Sequence, residues 1–323
     1  MPEYKNLKNN YYKIISNGNI EKNKVEFDIF LYLTTTHLTA QTRKPVIYFQ
    51  FYRNTYPTPI AIFQCTAPLD GLCHSAPSAP FGSIQCQDDC SKEEIDYFIK
   101  SIIEQLNFRR VKNLQINHYA YCYSEPHAEV IASLYATNGF RCSKEKINHH
   151  IPVSAQHFRE LIVPAEHRRL KKCERSALIA QMDTDSDPGK IYQFLSYCRQ
   201  VKGYVLPLSQ SQLTTLIVHF PNHVRTFSVQ LAGKIIAMVV TIRVNSRILY
   251  NFLIDSLPEF NKYSPTVMLV NCVYQYCQQQ KIEILDLGTS LDQSGREKAS
   301  LIRFKENIGG VRSVKKSFCI RLN

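Results

Sequence analysis

The segment Lys262-Tyr263-Ser264-Pro265-Thr266 opens a helix with no acid in its first turn, so its backbone N–H groups suit an anion, with Lys262 beside them. Serine as N-cap and proline at the first helical position also make a plain helix start. Asp286 ends a strand of buried composition beside Gly288, where it either orients a substrate amine or caps the loop. Asp255 follows the strand 248–254 and either accepts a proton or serves the turn. Tyr250 and Asn251 alternate on that strand, so one of them faces any cleft alongside, and register decides which. A second helix start, Asp88-Asp89-Cys90-Ser91-Lys92-Glu93-Glu94, is acidic: it stabilises its helix through the dipole and repels phosphate.

Other candidate chemistry is weaker. The 11 cysteines are odd in number and scattered, which argues against a disulfide framework. The densest group, Cys65, Cys73, His74, Cys86 and Cys90, lacks the paired C-x-x-C spacing of a zinc site, so no metal is expected. His149-His150 show neither a nucleophile partner nor metal spacing. A formal charge of +12 favours anionic partners, among them nucleotide phosphates, coenzyme A, tRNA and acidic surfaces, or marks a generally basic protein. Part of it is clustered in His167-Arg168-Arg169-Leu170-Lys171-Lys172.

The elements that must position these residues fall into two halves. A chain of 323 residues suits two domains of about 150–170 residues. With 44% apolar and 20% charged residues it can bury a core. It has no run near the roughly 20 apolar residues of a membrane span, and its polar N-terminus lacks a secretion signal. It reads as cytoplasmic. The first half, 1–153, predicts strands at 25–34, 45–52 and 60–65, then a loop at 76–82. A helix follows, capped by the Ser91/Glu94 box and lined by Ile95, Phe98, Ile99, Ile102, Ile103 and Leu106. Strand 113–117, helix 126–137 and strand 147–153 complete it. The second half, 154–323, predicts helices at 155–162 and 165–175 and a strand at 177–182. Helices at 188–201 and 209–219 follow, then a meander of strands 224–231, 234–244 and 247–254. Helix 265–279, strand 282–287, helix 296–307 and strand 313–321 end the chain. Both halves run meander, helix, strand, helix, Gly-terminated turn, strand.

The run Ala132-Ser133-Leu134-Tyr135-Ala136-Thr137-Asn138-Gly139-Phe140 resembles the GNAT acyltransferase signature, where a helix carrying Leu-Tyr stops at a Gly-Phe turn. The second half resembles the Fem-type aminoacyltransferases. Tyr263-Ser264-Pro265, Leu285-Asp286-Leu287-Gly288, Ile302-Arg303-Phe304-Lys305 and Gly309-Gly310 occur in order, over about 227–314. That resemblance implies an α/β (α+β) fold of two tandem GNAT-like domains, each a mixed, mostly antiparallel sheet flanked by helices.

It also implies a chemistry. GNAT-type enzymes hold an acyl donor between two splayed strands and present it to an amine, which must be neutral to attack and whose oxyanion must be stabilised. By resemblance, Lys305 steadies the donor's carbonyl charge, with Asp286 and Asp255 as further catalytic candidates. Tyr250, Asn251, Lys262, Tyr263, Ser264, Thr266, Arg303 and Phe304 would bind the donor. The loop 78–83, with Phe81 and Gly82, would line the acceptor groove. The donor would be acyl-CoA or an aminoacyl-tRNA. The glycines of the usual coenzyme A loop are missing, as they are in Fem-type proteins, whose donor is an aminoacyl-tRNA. The first domain would be a non-catalytic scaffold or acceptor-binding part. The rivals are a catalytically degenerate GNAT-like binding protein and a nucleic-acid-binding protein.

Overall fold

The computed structural model describes residues 12–16, 25–41, 45–54, 56–66, 71–75, 79–184, 187–292 and 294–322. The chain forms two compact units, Met1–Lys146 with Val314–Asn323, and Ile147–Ser313. The last strand therefore counts with the first unit, where a single cut at 153/154 would leave it in the second. In chain order the elements are β1 Tyr12–Ser16, α1 Thr35–Gln41, β2 Val46–Arg53, β3 Ala61–Thr66, β4 Leu72–Ser75, β5 Gln85–Cys86, α2 Lys92–Phe108, β6 Asn113–Asn117, α3 His127–Thr137 and β7 Arg141–Pro152. They continue with α4 Phe158–Leu161, α5 Pro164–Arg175, β8 Ile179–Asp183, α6 Pro188–Val201, α7 Gln210–His219, β9 Val224–Leu231, β10 Lys234–Arg243, β11 Ile248–Ser256, α8 Pro265–Gln279, β12 Ile284–Thr289, α9 Ala299–Asn307 and β13 Val311–Arg321. The mixed α/β fold, with mostly antiparallel sheets flanked by helices, is the one the resemblance implies.

In the first unit β1, β2, β3 and β5 form an antiparallel sheet in that order, while β6 pairs with β4 in parallel and with β13 antiparallel. The Ser91/Glu94 capping box forms as expected at the start of α2. Two of the four acids at this helix start are engaged. Arg53 bonds Glu94 at 2.7 and 2.8 Å and Asp89 at 2.8 Å, and its guanidinium holds the Glu94 carboxyl below its ordinary range. The strand expected at 25–34 is instead an extended lead into a 3-10 turn at Leu31–Leu33. The Gln85 side chain explains the difference: it accepts from Phe30 N–H and donates to the Asp28 carbonyl, serving backbone groups that a neighbouring strand would otherwise pair.

A polar chain is sealed in this unit. His118 Nε2–H donates to the Ala128 carbonyl at 2.8 Å, which leaves Nδ1 to accept from Ser83 Oγ at 2.8 Å; Tyr135 O–H lies 2.9 Å from the same Oγ. Burial pushes the His118 imidazole down to about 4, so it stays neutral at neutral pH and keeps that acceptor.

In the second unit β9, β10 and β11 form the expected antiparallel meander, with β8 on its outer side. α8 lies against it, and Val267, Val270, Val273 and Tyr274 join Phe227, Val229, Val239, Leu249 and Leu285 in one core. Proline as its first helical residue starts α8. β12 pairs in parallel with β11 and antiparallel with β7. Among the described residues no helix is long and apolar enough to cross a membrane.

Candidate functional site

The site begins where two strands part. The ladder between β11 and β12 runs from Ile248/Ile284 to Tyr250/Asp286. Past it β11 stays with β10 as far as Ser256, after a one-residue slip at Phe252, and β12 stays with β7 as far as Thr289. The gap between them opens into a cavity of about 420 Å³, closed by the first turns of α8 and by α9. Asn251, Asp255 and Ser256 from β11, Ser264 to Val267 from the start of α8, Phe304 and Lys305 from α9, and Arg169 and Lys202 line it.

Lys305 is 7% exposed, and its ammonium is held against the end of β12. Nζ donates to the carbonyls of Gly288 at 2.8 Å and Thr289 at 2.9 Å, which leaves one of its three N–H groups for a ligand. Burial lowers its pKa to about 8, and the Asp286 carboxylate opposes that shift. Gly309 ends α9, and Gly310 N–H donates to the Lys305 carbonyl at 2.8 Å.

Asn251 is the cavity-facing member of the Tyr250/Asn251 pair. It is 6% exposed, and its Oδ1 has no hydrogen-bond partner among the described residues. A buried acceptor without a donor costs about 1–3 kcal/mol, which a ligand N–H or O–H would offset. The Tyr250 ring instead covers Gly288 (φ +71): a Cβ there would sit 3.1 Å from Tyr250 Cε2. Burial, and then the Asp286 carboxylate, push the Tyr250 phenol up.

Asp286 stands behind the wall. Its Oδ1 accepts from Asn148 Nδ2 and from Gly288 N–H, both at 2.7 Å, so it shapes the turn on which Lys305 rests. Asp255 does face the cavity. Oδ1 takes Lys202 Nζ, and Oδ2 lies 2.8 Å from Arg199 Nε.

The other expected donor-binding residues divide between the cavity and its surroundings. Ser264 is at the start of α8, but it is not an N-cap in the usual sense: its backbone is left-handed (φ 56, ψ 50) and its side chain makes no capping hydrogen bond. The cause is the 3-10 helix Pro258–Tyr263, whose closing bond from Ser264 N–H to Asn261 O turns the chain before α8 begins. Thr266 and Phe304 line the cavity; Lys262 and Arg303 are exposed outside its lining. Lys262 lies over the Tyr263 ring at 5.0 Å, and Tyr263 packs on the core, its carbonyl accepting from Cys173 Sγ.

Phe81 and Gly82 correct the acceptor-groove expectation. Phe81 is 1% exposed and packs among Phe30, Tyr32, Tyr119 and Tyr123 in the first unit's core. Gly82 is buried, and a Cβ on it would lie 2.4 Å from Ser75 Oγ and 2.7 Å from Ser75 backbone. Of the loop 78–83, Ser78 lies outside the described residues, as do 76 and 77 before it. Gly82→Ala is therefore expected to destabilise the fold by about 1–3 kcal/mol in urea unfolding, through overpacking. An unchanged midpoint would put Gly82 back on a surface.

Sequence reasoning missed Lys202, Arg199 and Arg169. Arg169 sits in the basic run already noted. Arg199 and Lys202, three apart at the end of α6, share a helix face, but their partner Asp255 is more than fifty positions away. Among the described residues no group of three His, Cys, Asp or Glu side chains is placed to hold a metal ion.

Comparison with known proteins finds a family model that matches the stretch of chain around this cavity. The family model described as "Acetyltransferase (GNAT) domain" matches residues 167–305, a span that contains Arg169, Lys202, Asn251, Asp255 and Lys305. Among solved structures, that of FemX is 12% identical with a TM-score of 0.67, covering 92% of this chain and 93% of that one. The L-PGS structure from Bacillus licheniformis is 14% identical with a TM-score of 0.52, over 89% and 86%. A tandem GNAT protein from the clavulanic acid biosynthesis pathway is 8% identical with a TM-score of 0.52, over 86% and 83%. No curated protein sequence matches the chain. At these identities the structures speak for the fold alone, whereas the family model speaks for the sequence: residues 167–305 match the acetyltransferase (GNAT) domain model, in a chain whose fold is of the tandem GNAT-like kind shared with FemX.

Proposed function

We propose that the chain is an N-acyltransferase that moves an acyl or aminoacyl group from an activated carbonyl donor, acyl-CoA or aminoacyl-tRNA, to an amine. The observation that carries this reading is Lys305: a buried ammonium on the wall of the cavity between two diverging strands, tied down by two carbonyls with one N–H to spare. Such a group stabilises charge as it develops on a carbonyl oxygen, and the low dielectric around it strengthens the effect. In this reading the donor lies in the unit Ile147–Ser313 and the first unit is a scaffold.

An aminoacyl donor fits better than a plain acetyl group. Asn251 Oδ1 is a buried acceptor facing the cavity, and the α-amino group of an aminoacyl ester supplies the donor it lacks. The formal charge of +12 supports a polyanionic carrier as well. The test supplies labelled acetyl-coenzyme A, or tRNA charged with labelled amino acids, together with a panel of amines, and follows label into stable amide. Transfer from charged tRNA, faster than from acetyl-coenzyme A, is the expected result. If no donor yields amide and none raises the melting temperature, the enzymatic reading fails.

A further inference from the structure

Asp255 presents a primary-ammonium site, and the chain itself fills it. Lys202 Nζ bonds Asp255 Oδ1 and donates to the Ser256 carbonyl at 2.9 Å, and all three residues line the cavity. A carboxylate oxygen plus a carbonyl is a seat for an R–NH3⁺ group, which has three donors and no acceptor. The second carboxylate oxygen lies 2.8 Å from Arg199 Nε, an ion pair that does not involve the first.

We propose that Asp255 and Ser256 form the subsite for the acceptor, that the acceptor is a primary alkylamine entering as its ammonium ion, and that Lys202 is a resident stand-in which the acceptor must displace. This deepens the acyl-transfer reading and rests on it for the word acceptor. Charge decides the ligand class. Exchanging one ammonium for another keeps a cation on Asp255 Oδ1, whereas a neutral or anionic ligand would leave that oxygen without one and only Oδ2 paired, with Arg199. Lys202 has somewhere to go: its side chain is 29% exposed at the end of α6. The turn after it is anchored independently. Tyr204 O–H accepts from Lys298 Nζ at 3.0 Å, just before α9, so Lys202 can leave Asp255 while the segment that carries it stays in place.

The resident lysine lowers apparent affinity by the fraction of time it holds the site. The probe is n-butylammonium, with n-butanol as its uncharged control, titrated by NMR into the full chain without any donor. Lys202→Met is expected to bind n-butylammonium about 10- to 100-fold more tightly than the parent, the range of a charge-assisted hydrogen bond. Lys202→Gln should do the same if the methionine variant folds poorly, and Lys202→Arg, which keeps the pair, should match the parent. Adding Asp255→Asn to Lys202→Met should abolish the gain, and butanol should distinguish none of the variants. Equal affinity of parent and both freed variants, or equal binding of butanol and butylammonium, overturns the proposal. Because no turnover is needed, these results stand whether or not acyl transfer is found. If it is found, Lys202→Met should lower KM for the amine.

Discussion

Lys305→Met is expected to lower acyl transfer by about 10²–10³-fold at pH 7, the range for loss of one preorganised donor to a developing oxyanion. Steady-state kinetics with the better donor measures it, and a variant that keeps more than a tenth of the rate removes Lys305 from the chemistry. The pH profile gives a sharper check. With its pKa near 8, Lys305 is mostly ammonium at pH 7, and its contribution is lost as pH rises through 8. The rate should therefore fall above pH 8, and Lys305→Arg, whose cation persists, should lose that limb. The Lys305 contribution to stability moves the other way. The unfolded chain holds the Lys305 proton up to its ordinary 10.5 and the folded chain only to about 8, so this group makes folding more favourable as pH rises between them. Thiols such as Cys198 and Cys272, pushed up by burial, work against it over the same range, so the Lys305 part is read as the difference in stability between the parent and Lys305→Met.

How much of this was legible beforehand depended on how local each signal was. α6 and α8, with proline at their starts, and β6 and β9, with clean apolar patterns, occupy the residues expected of them. Their periodicity and end signals lie within the element itself. β1 and β4 escaped notice because five and four residues carry too little pattern. Phe81 and Gly82 were misread because a Pro/Ser/Ala-rich stretch suggests a surface loop, yet an aromatic inside it can anchor a core. In the site, Lys305 was reached by resemblance; its burial was not, since an amphipathic helix gives no warning of a buried cation. Asn251 was separated from Tyr250 only by register against β12, and Lys202 by a partner in a distant strand. Ser264-Pro265 reads as a cap in any sequence, and only the preceding 3-10 turn shows otherwise.

Asp286→Ala is expected to destabilise the second unit by roughly 2–6 kcal/mol, at about 1–3 for each buried donor left without its acceptor, here Asn148 Nδ2 and Gly288 N–H. Urea unfolding measures this. Asp286→Asn separates shape from charge, because its carbonyl oxygen keeps both hydrogen bonds while the negative charge is gone. The Asp286 carboxylate is what opposes the burial shift on Lys305, so its neutralisation should drop the Lys305 pKa below 8 and carry the alkaline limb of the rate to lower pH. At pH 7.5 the asparagine variant should be slower than the parent, and at pH 6.5 the difference should shrink, because Lys305 is then ammonium in a larger share of both. A base acting directly on the amine would behave differently: its removal would depress the rate at every pH and leave the Lys305 limb where it was. That second outcome would move Asp286 from the support behind the cavity wall into the reaction itself.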